Sequence, residues 1–209
     1  MPKVSKERMN ARREEIVNAC AQLYETMGFK DITICDIGEK TSFTRTSIYN
    51  YFQTKEEIFL ALLAREHAAW AADLDELART HKAMTADEFA GALARTLEKR
   101  GRLLKLMSMN LYDMEGNSRI ENLVAFKTVY ANTLRALRDC LAKFFPRMTA
   151  ADIEEFLYAL LPFLFGVYPY TSVTEKQRRA MELAGVDYAR YTVYEITRDF
   201  AARMLRGFA

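Results

Sequence analysis

Arg45, Thr46, Ser47, Tyr49 and Asn50 crowd hydrogen-bonding side chains into one short stretch, and their chemistry matches the edges of base pairs. An arginine forks onto guanine, an asparagine pairs in the same two-pronged way with adenine, and a threonine methyl meets the methyl of thymine. Beside them Thr33, Thr44, Tyr51 and Lys55 offer groups that hold phosphate or backbone rather than read sequence. Lys55 stands near the amino end of a following helix, so its point charge adds to free backbone donors there. This is the chemistry of a surface that reads duplex DNA.

Such a set works only if a helix exposes it and buries the rest. Thr44 suits the N-cap of that helix, and Ile48 and Phe52, four apart, form its hidden side. A shorter helix precedes it, opened by Thr33 and Asp36 in a capping pattern, with Ile34, Ile37 and Gly38 on one face. Helices this short do not hold themselves in water. The support is upstream, where Ile16, Ala19, Cys20, Leu23, Tyr24 and Met27 recur at helical spacing before a stop at Gly28. Lys3, Lys6, Arg8, Arg12 and Arg13, against a lone Glu7, make a basic amino-terminal arm. Alone it reads as a solvated tail; beside a helix-turn-helix it is expected to contact phosphate.

Over roughly residues 8 to 63 this layout resembles the TetR/AcrR family of one-component bacterial transcriptional regulators. The carriers are Ile16-Val17-Asn18-Ala19-Cys20-Ala21-Gln22-Leu23-Tyr24, Gly28-Phe29, Thr33-Ile34-x-x-Ile37, and Ser47-Ile48-Tyr49-Asn50-Tyr51-Phe52-x-x-Lys55-Glu56-Glu57-Ile58-Phe59. The last block is far more specific than a bare helix-turn-helix pattern. One departure stands in the turn, where Thr41, Ser42 and Phe43 replace the family's usual small residue, glycine and aliphatic residue. Ser42 is therefore expected to take a left-handed conformation at a cost of about 1 kcal/mol or more. The resemblance implies a homodimeric repressor of palindromic operators, responsive to a small molecule and working in the cytoplasm.

Composition narrows the fold. The 209 residues are half hydrophobic, and with eight glycines and four prolines they favour long helices over many short strands. A net charge of +2 does not by itself announce nucleic acid. Cys20, Cys35 and Cys140 are too scattered for a disulfide framework or zinc pair, and His67 and His81 lack partners at ligand spacing, so no metal or other cofactor is expected. The longest apolar run, residues 156 to 167, is too short to span a bilayer and is interrupted by Pro162. Enzyme signatures are missing: no phosphate loop, no nucleophile elbow, no paired metal-binding histidines. The expected architecture is all-α, a three-helix reading domain over residues 1–53 followed by a larger helical effector-binding and dimerisation domain over 54–209.

In the larger part, Thr54 with Glu57 opens a helix to about residue 79, near 38 Å long. Similar boxes at Thr85/Glu88, Thr149/Asp152 and Thr174/Gln177 precede further helices. The full expected set is 86–100, 103–114, 118–145, 150–168, 175–184 and 187–207, with breaks near Gly101, Gly116, Pro146, Pro169 and Gly185. The segment 150–170 is apolar nearly all round, so it is either a central core helix or also faces a second chain. The last helix, with Tyr188, Tyr191, Tyr194, Ile196 and Phe200, is apolar on more than one face. Given the resemblance, these two helices are expected to meet a two-fold mate through Phe156, Leu160, Tyr191, Ile196 and Phe200.

Met107, Met109, Tyr112, Met114, Phe126, Tyr130, Phe163 and Tyr168 form a methionine and aromatic set that is either plain core or a cavity wall. The resemblance favours the wall, with Met107, Tyr112, Phe126, Tyr130, Phe163 and Tyr168 around an apolar or aromatic effector. Pro162 would bend its helix there. A competing reading is an all-helical small-molecule-binding or scaffold protein whose helix-turn-helix does not function.

Overall fold

The computed structural model describes residues 6–109, 111–187 and 189–208. Among these residues the chain is helical, with no strand. It divides into two compact units, Met1–Arg65 with Asn110–Val129, and Glu66–Met109 with Tyr130–Ala209. This is not the expected cut between residues 53 and 54. The first unit keeps the start of the fourth helix and recruits a stretch from far along the chain, because side chains there bond across a sequence separation that local patterns do not reveal.

In the first unit, α1 (Lys6–Thr26), α2 (Ile34–Glu39) and α3 (Arg45–Ile48) are joined by the amino-terminal part of α4 (Lys55–Thr80), α7 (Leu111–Gly116) and the start of α8 (Ile120–Phe144). The anticipated apolar positions Ile16, Cys20, Tyr24, Ile37, Ile48 and Phe52 are all buried. Phe59 of α4 closes this core, with Tyr24 and Phe29 edge-on to its ring at 5.1 and 4.8 Å. Gly38 lies where α2 meets α3: a Cβ there would already be in van der Waals contact, 3.4 Å from the Arg45 backbone and 3.5 Å from Ile48.

The second unit holds the rest of α4 and α8 with α5 (Ala86–Glu98), α6 (Gly101–Met107), α9 (Ala150–Thr171), α10 (Glu175–Leu183) and α11 (Val193–Arg206). α11 packs on α5 and α9, and α9 also packs on α6. Trp70, fully buried, donates from Nε1 to Thr96 Oγ1 at 3.0 Å, so its polar edge is satisfied inside the core. The capping boxes at Thr33, Thr85, Thr149 and Thr174 form as their spacing predicts, each with its hydroxyl accepting from the third helical amide. Gly185, at φ +66°, ends α10 in the left-handed region.

Three helix expectations are corrected. The single helix expected over 103–114 is two, α6 and α7. α9 does not stop before Pro169 but carries both Pro162 and Pro169 within it. Pro162 removes one amide donor and leaves the Tyr158 carbonyl without its helical partner, which a long, well-packed helix tolerates. α11 starts at Val193 rather than near 187, because Thr192 and Glu195 form a capping box. Tyr188 lies outside the described residues. No single helix among those described is long and apolar enough to cross a membrane.

Candidate nucleic-acid interface

α3 is one turn long, with Thr44 as its N-cap in extended conformation. The Thr44 hydroxyl does not cap the backbone; it lies 3.1 Å from Ser47 Oγ. Beyond Ile48 the chain tightens, with amides of Asn50 and Tyr51 donating three residues back. Arg45, Thr46, Tyr49 and Asn50 are exposed on this turn, Ser47 is half-buried, and Ile48 is fully buried. The Tyr49 hydroxyl holds the Arg45 pKa above its ordinary value, so the guanidinium is charged at every relevant pH. The hydrogen-bonding residues that the sequence singled out thus share one surface turn.

The residues expected to hold phosphate or backbone divide differently. Thr33 is exposed, but its hydroxyl and amide are engaged with Asp36 in the capping box. Tyr51 is nearly buried, its ring tilted against Phe43 at 6.2 Å. Lys55 Nζ donates to the carbonyls of Phe29 at 2.8 Å and Ile32 at 3.1 Å, over the Phe29 ring, so two of its three N–H groups are spent inside the unit. Arg13 likewise turns inward, donating to Tyr51 O at 3.2 Å and Asn122 Oδ1 at 3.3 Å with its guanidinium over Phe52. Burial, and next the neighbouring Arg119 charge, hold its pKa below the ordinary value. Arg12 stands over Phe43. Lys3 and the Lys6 side chain lie outside the described residues.

The turn needs no left-handed serine. Among the described residues no residue other than glycine has positive φ. Thr41 shapes the turn instead: its hydroxyl is 2.9 Å from Gly38 O and 3.1 Å from Phe43 O, while the Ser42 amide donates to Glu15. The expected strain is absent: Ser42 stays out of the left-handed region, and side chains of Thr41 and Glu15 satisfy backbone groups of the turn.

Glu57 was expected to complete a capping box with Thr54. Only half of that forms, the Glu57 amide donating to Thr54 Oγ1 at 3.2 Å. The carboxylate, fully buried, instead accepts from Gln53 N at 2.7 Å and from Arg119, through N at 3.0, Nε at 2.7 and Nη2 at 2.9 Å. Burial alone would raise its pKa; these bonds outweigh it and hold the pKa at about 2. Sequence reasoning missed Arg119, for no local pattern ties it to a residue so far back.

The ligand and dimer sets are rearranged. Met107 is buried in the second unit's core, and Tyr112 is 89% exposed in the first unit. Phe126 lines a small cavity of about 170 Å³ in the first unit, together with Arg13, Glu57 and Asn122. Tyr130 alone of the six lines an apolar cleft of about 570 Å³ in the second unit, with Leu134, Leu157, Leu161, Pro162 and Phe165 and the Arg138–Glu154 ion pair. Phe163 faces a separate depression, stacked on Phe200 at 4.0 Å, and half-buried Tyr168 lines neither. The structure therefore does not gather the six into one cavity. Their helical phases send some to the core and some to different surfaces.

Phe156 and Leu160, expected at a dimer surface, are 0% exposed within the chain's own core. The reason is periodicity: Phe156, Leu160, Leu164 and Val167 form the inner stripe of α9, while Tyr158, Leu161, Phe163 and Phe165 are left outside it. Tyr191 is exposed, and half-buried Ile196 and Phe200 of α11 face the Phe163 depression.

Comparison with known proteins places both parts of the chain in one family. Residues 16–62 match the family described as bacterial regulatory proteins, tetR family, and residues 64–209 match the tetracyclin repressor-like C-terminal domain. The repressor AcnR of Corynebacterium diphtheriae is 35% identical over 74 residues, 35% of this chain and 38% of that protein. The uncharacterised regulator YfiR of Bacillus subtilis is 36% identical over 62 residues, 30% of each. The chain thus spans about a third of the length of these relatives. A TetR-family regulator structure from Mesorhizobium loti superposes with a TM-score of 0.59 at 16% identity, covering 96% of both chains. FadR of Bacillus subtilis, solved in complex with stearoyl-CoA, superposes with a TM-score of 0.55 at 14% identity, covering 93% of this chain and 98% of that one. With the C-terminal match alone covering more than half of its length, the chain belongs to the TetR family of bacterial regulatory proteins.

Proposed function

We propose that the protein is a cytoplasmic, homodimeric repressor that reads a palindromic operator and is controlled by a small apolar or aromatic effector. The observation that carries the DNA-reading part is the exposure of Arg45, Thr46, Tyr49 and Asn50 on one turn whose Ile48 is fully buried. In this reading these four, with Ser47, face base edges in the major groove. Exposed Thr33 and Thr44 face the DNA backbone, while Tyr51 and Lys55, both turned inward, support the turn from within the unit. Regulation rather than catalysis is the role that follows.

Dimerisation is assigned to the outer surfaces of α9 and α11, where Phe163, Tyr191, Ile196, Phe200 and Met204 leave an apolar depression of about 490 Å³. The effector is assigned to the Tyr130 cleft, whose size and apolar walls suit a lipophilic molecule with one polar end near Arg138 and Glu154. That the related FadR was solved with stearoyl-CoA makes long acyl compounds the first class to try. α4 and α8 each run from one unit into the other, so a ligand that favours one arrangement of these helices would alter DNA affinity.

The deciding experiment is selection of bound sequences from a random duplex pool by the purified protein, followed by binding over a salt series. A two-fold symmetric consensus bound well above non-specific DNA supports the reading; a protein that enriches nothing is the scaffold alternative. Leu161→Glu separates the two surfaces of the second unit. It should abolish stabilisation by acyl compounds and leave the mass dimeric, and a monomer would place the cleft in the dimer interface.

A further inference from the structure

The recognition helix is too short to hold its own end. α3 closes after four residues, and the carbonyls beyond it lack helical partners. One of these, Tyr51 O, is met by two guanidinium groups, Arg13 Nη1 and Arg119 Nη2, both at 3.2 Å. Two cations on one carbonyl repel each other, and the buried Glu57 carboxylate is the counter-charge. The arrangement uses one edge of the planar fork of Arg119. Its Nε and Nη2 grip the two carboxylate oxygens of Glu57, and Nη2 has a second hydrogen for Tyr51 O. Two further bonds tie the same region to the 110–129 stretch, Thr54 Oγ1 donating to Asn117 O at 2.9 Å and Arg13 Nη2 to Asn122 Oδ1 at 3.3 Å.

We propose that Arg119 is a positioning residue for DNA reading: its fork on Glu57 and Tyr51 O fixes the carboxyl end of the recognition helix, and thereby the aim of Tyr49 and Asn50, without itself touching DNA. The inference rests on the DNA-reading role given above. It assigns that role a dependence on a residue far outside the helix-turn-helix. A lysine does not reproduce the geometry, since a single ammonium neutralises Glu57 but does not span two carboxylate oxygens and a carbonyl held by a planar fork.

The test uses the full-length protein with Arg119→Lys and Arg119→Gln, and Glu57→Gln alone and combined with Arg119→Gln. Binding is read against the consensus enriched from random DNA over a salt series, and amide hydrogen exchange is read at residues 49–53. Arg119→Lys should keep its melting temperature near that of the parent. Its specific affinity should fall about tenfold while non-specific affinity and the salt slope stay unchanged, and amides of Tyr51 and Phe52 should exchange faster. Glu57→Gln and Arg119→Gln should not add, because each breaks the same clasp. If Arg119→Gln does not fold, Arg119→Lys carries the decision alone. A lysine variant that binds like the parent overturns the proposal, since charge alone then suffices. A salt slope reduced by about one unit per half-site also overturns it, making Arg119 a phosphate ligand. A parent protein that enriches no sequence removes DNA reading itself, which is distinguishable because exchange at 49–53 still reports whether the clasp holds the helix end.

Discussion

The two units place an ionisable group on the same helix and treat it in opposite ways. In the first, Glu57 of α4 stays charged although buried, because Arg119 and backbone amides surround its carboxylate. In the second, His67, less than three turns further along α4, lies against Tyr130 and Trp70, and burial pushes its pKa down to about 4, so it is neutral in the fold. The first unit hangs the short helices α2, α3 and α7 on longer ones, so their ends must be tied by side chains, and it spends charge on doing so. The second is built from long helices with apolar area to spare, which lets it bury a neutral imidazole and still leave greasy stripes outside. Orientation is the product of the first unit, surface the product of the second.

The largest expected effect tests that surplus. Phe156→Ala removes a ring from the inner stripe of α9 and should cost about 3 to 5 kcal/mol in denaturant unfolding. Tyr158→Ala, on a residue 79% exposed two positions away, should change stability by no more than about 0.5 kcal/mol. Similar losses at both sites would mean that the outer stripe is packed as tightly as the inner one, and the contrast between units would fail.

Acid separates the two groups on α4. For His67 the folded pKa of about 4 lies below the ordinary 6.5, so the unfolded chain binds the extra proton first. Its contribution is complete above pH 6.5 and is lost as pH falls toward 4. For Glu57 the folded pKa of about 2 lies below the ordinary 4.5, so its contribution is lost later, between 4.5 and 2. Each shift corresponds to at most roughly 3 to 4 kcal/mol. Melting temperature should therefore decline in two stages on acidification. His67→Phe should flatten the upper one only, and an unchanged upper stage would reassign it to another group.

A smaller effect distinguishes reading from holding. Arg45→Ala should lower affinity about ten- to a hundredfold for sites with the preferred base at one position per half-site, and hardly at all for sites lacking it. Lys55→Met should instead leave base preference intact and lower stability by about 1 to 2 kcal/mol, through the Phe29 and Ile32 carbonyls it abandons. Quantitative binding to consensus and single-base variants, beside thermal unfolding, checks both. Uniform loss for Arg45→Ala would take it away from the bases.

Much of the first unit was legible because its signals are local. A capping threonine, an acidic residue three positions on and aliphatic residues on one face set α2, and Ile48 with Phe52 sets the phase of α3, from which the exposed residues follow. Arg119 and Arg13 were not legible as clasp residues: their partners are 62 and 38 residues away, and a sequence pattern carries no information about which distant carbonyl a guanidinium will find. In the second unit the apolar composition of α9 was plain, but composition does not say which stripe turns inward. Phe156 and Leu160 were read as a surface because both stripes are equally greasy, and only packing against α6 and α11 chooses between them.

The smallest effect concerns the turn between α2 and α3, where the sequence led to an expectation of strain. If Ser42 were held in the left-handed region, Ser42→Gly would relieve about 1 kcal/mol or more and stabilise the protein. Ser42 is not in that region; its amide donates to Glu15, and Thr41 ties the turn through Gly38 and Phe43 carbonyls. Glycine at 42 then gains nothing in the folded state and adds freedom to the unfolded one. We expect Ser42→Gly to destabilise by about 0.4 to 1 kcal/mol. Thr41→Val, which removes the hydroxyl and keeps the shape, should cost about as much or slightly more, near 1 kcal/mol. Paired denaturant titrations of the two variants decide the matter: a stabilised Ser42→Gly would restore the strained turn, and with it a reading unit less firmly tied than the one described.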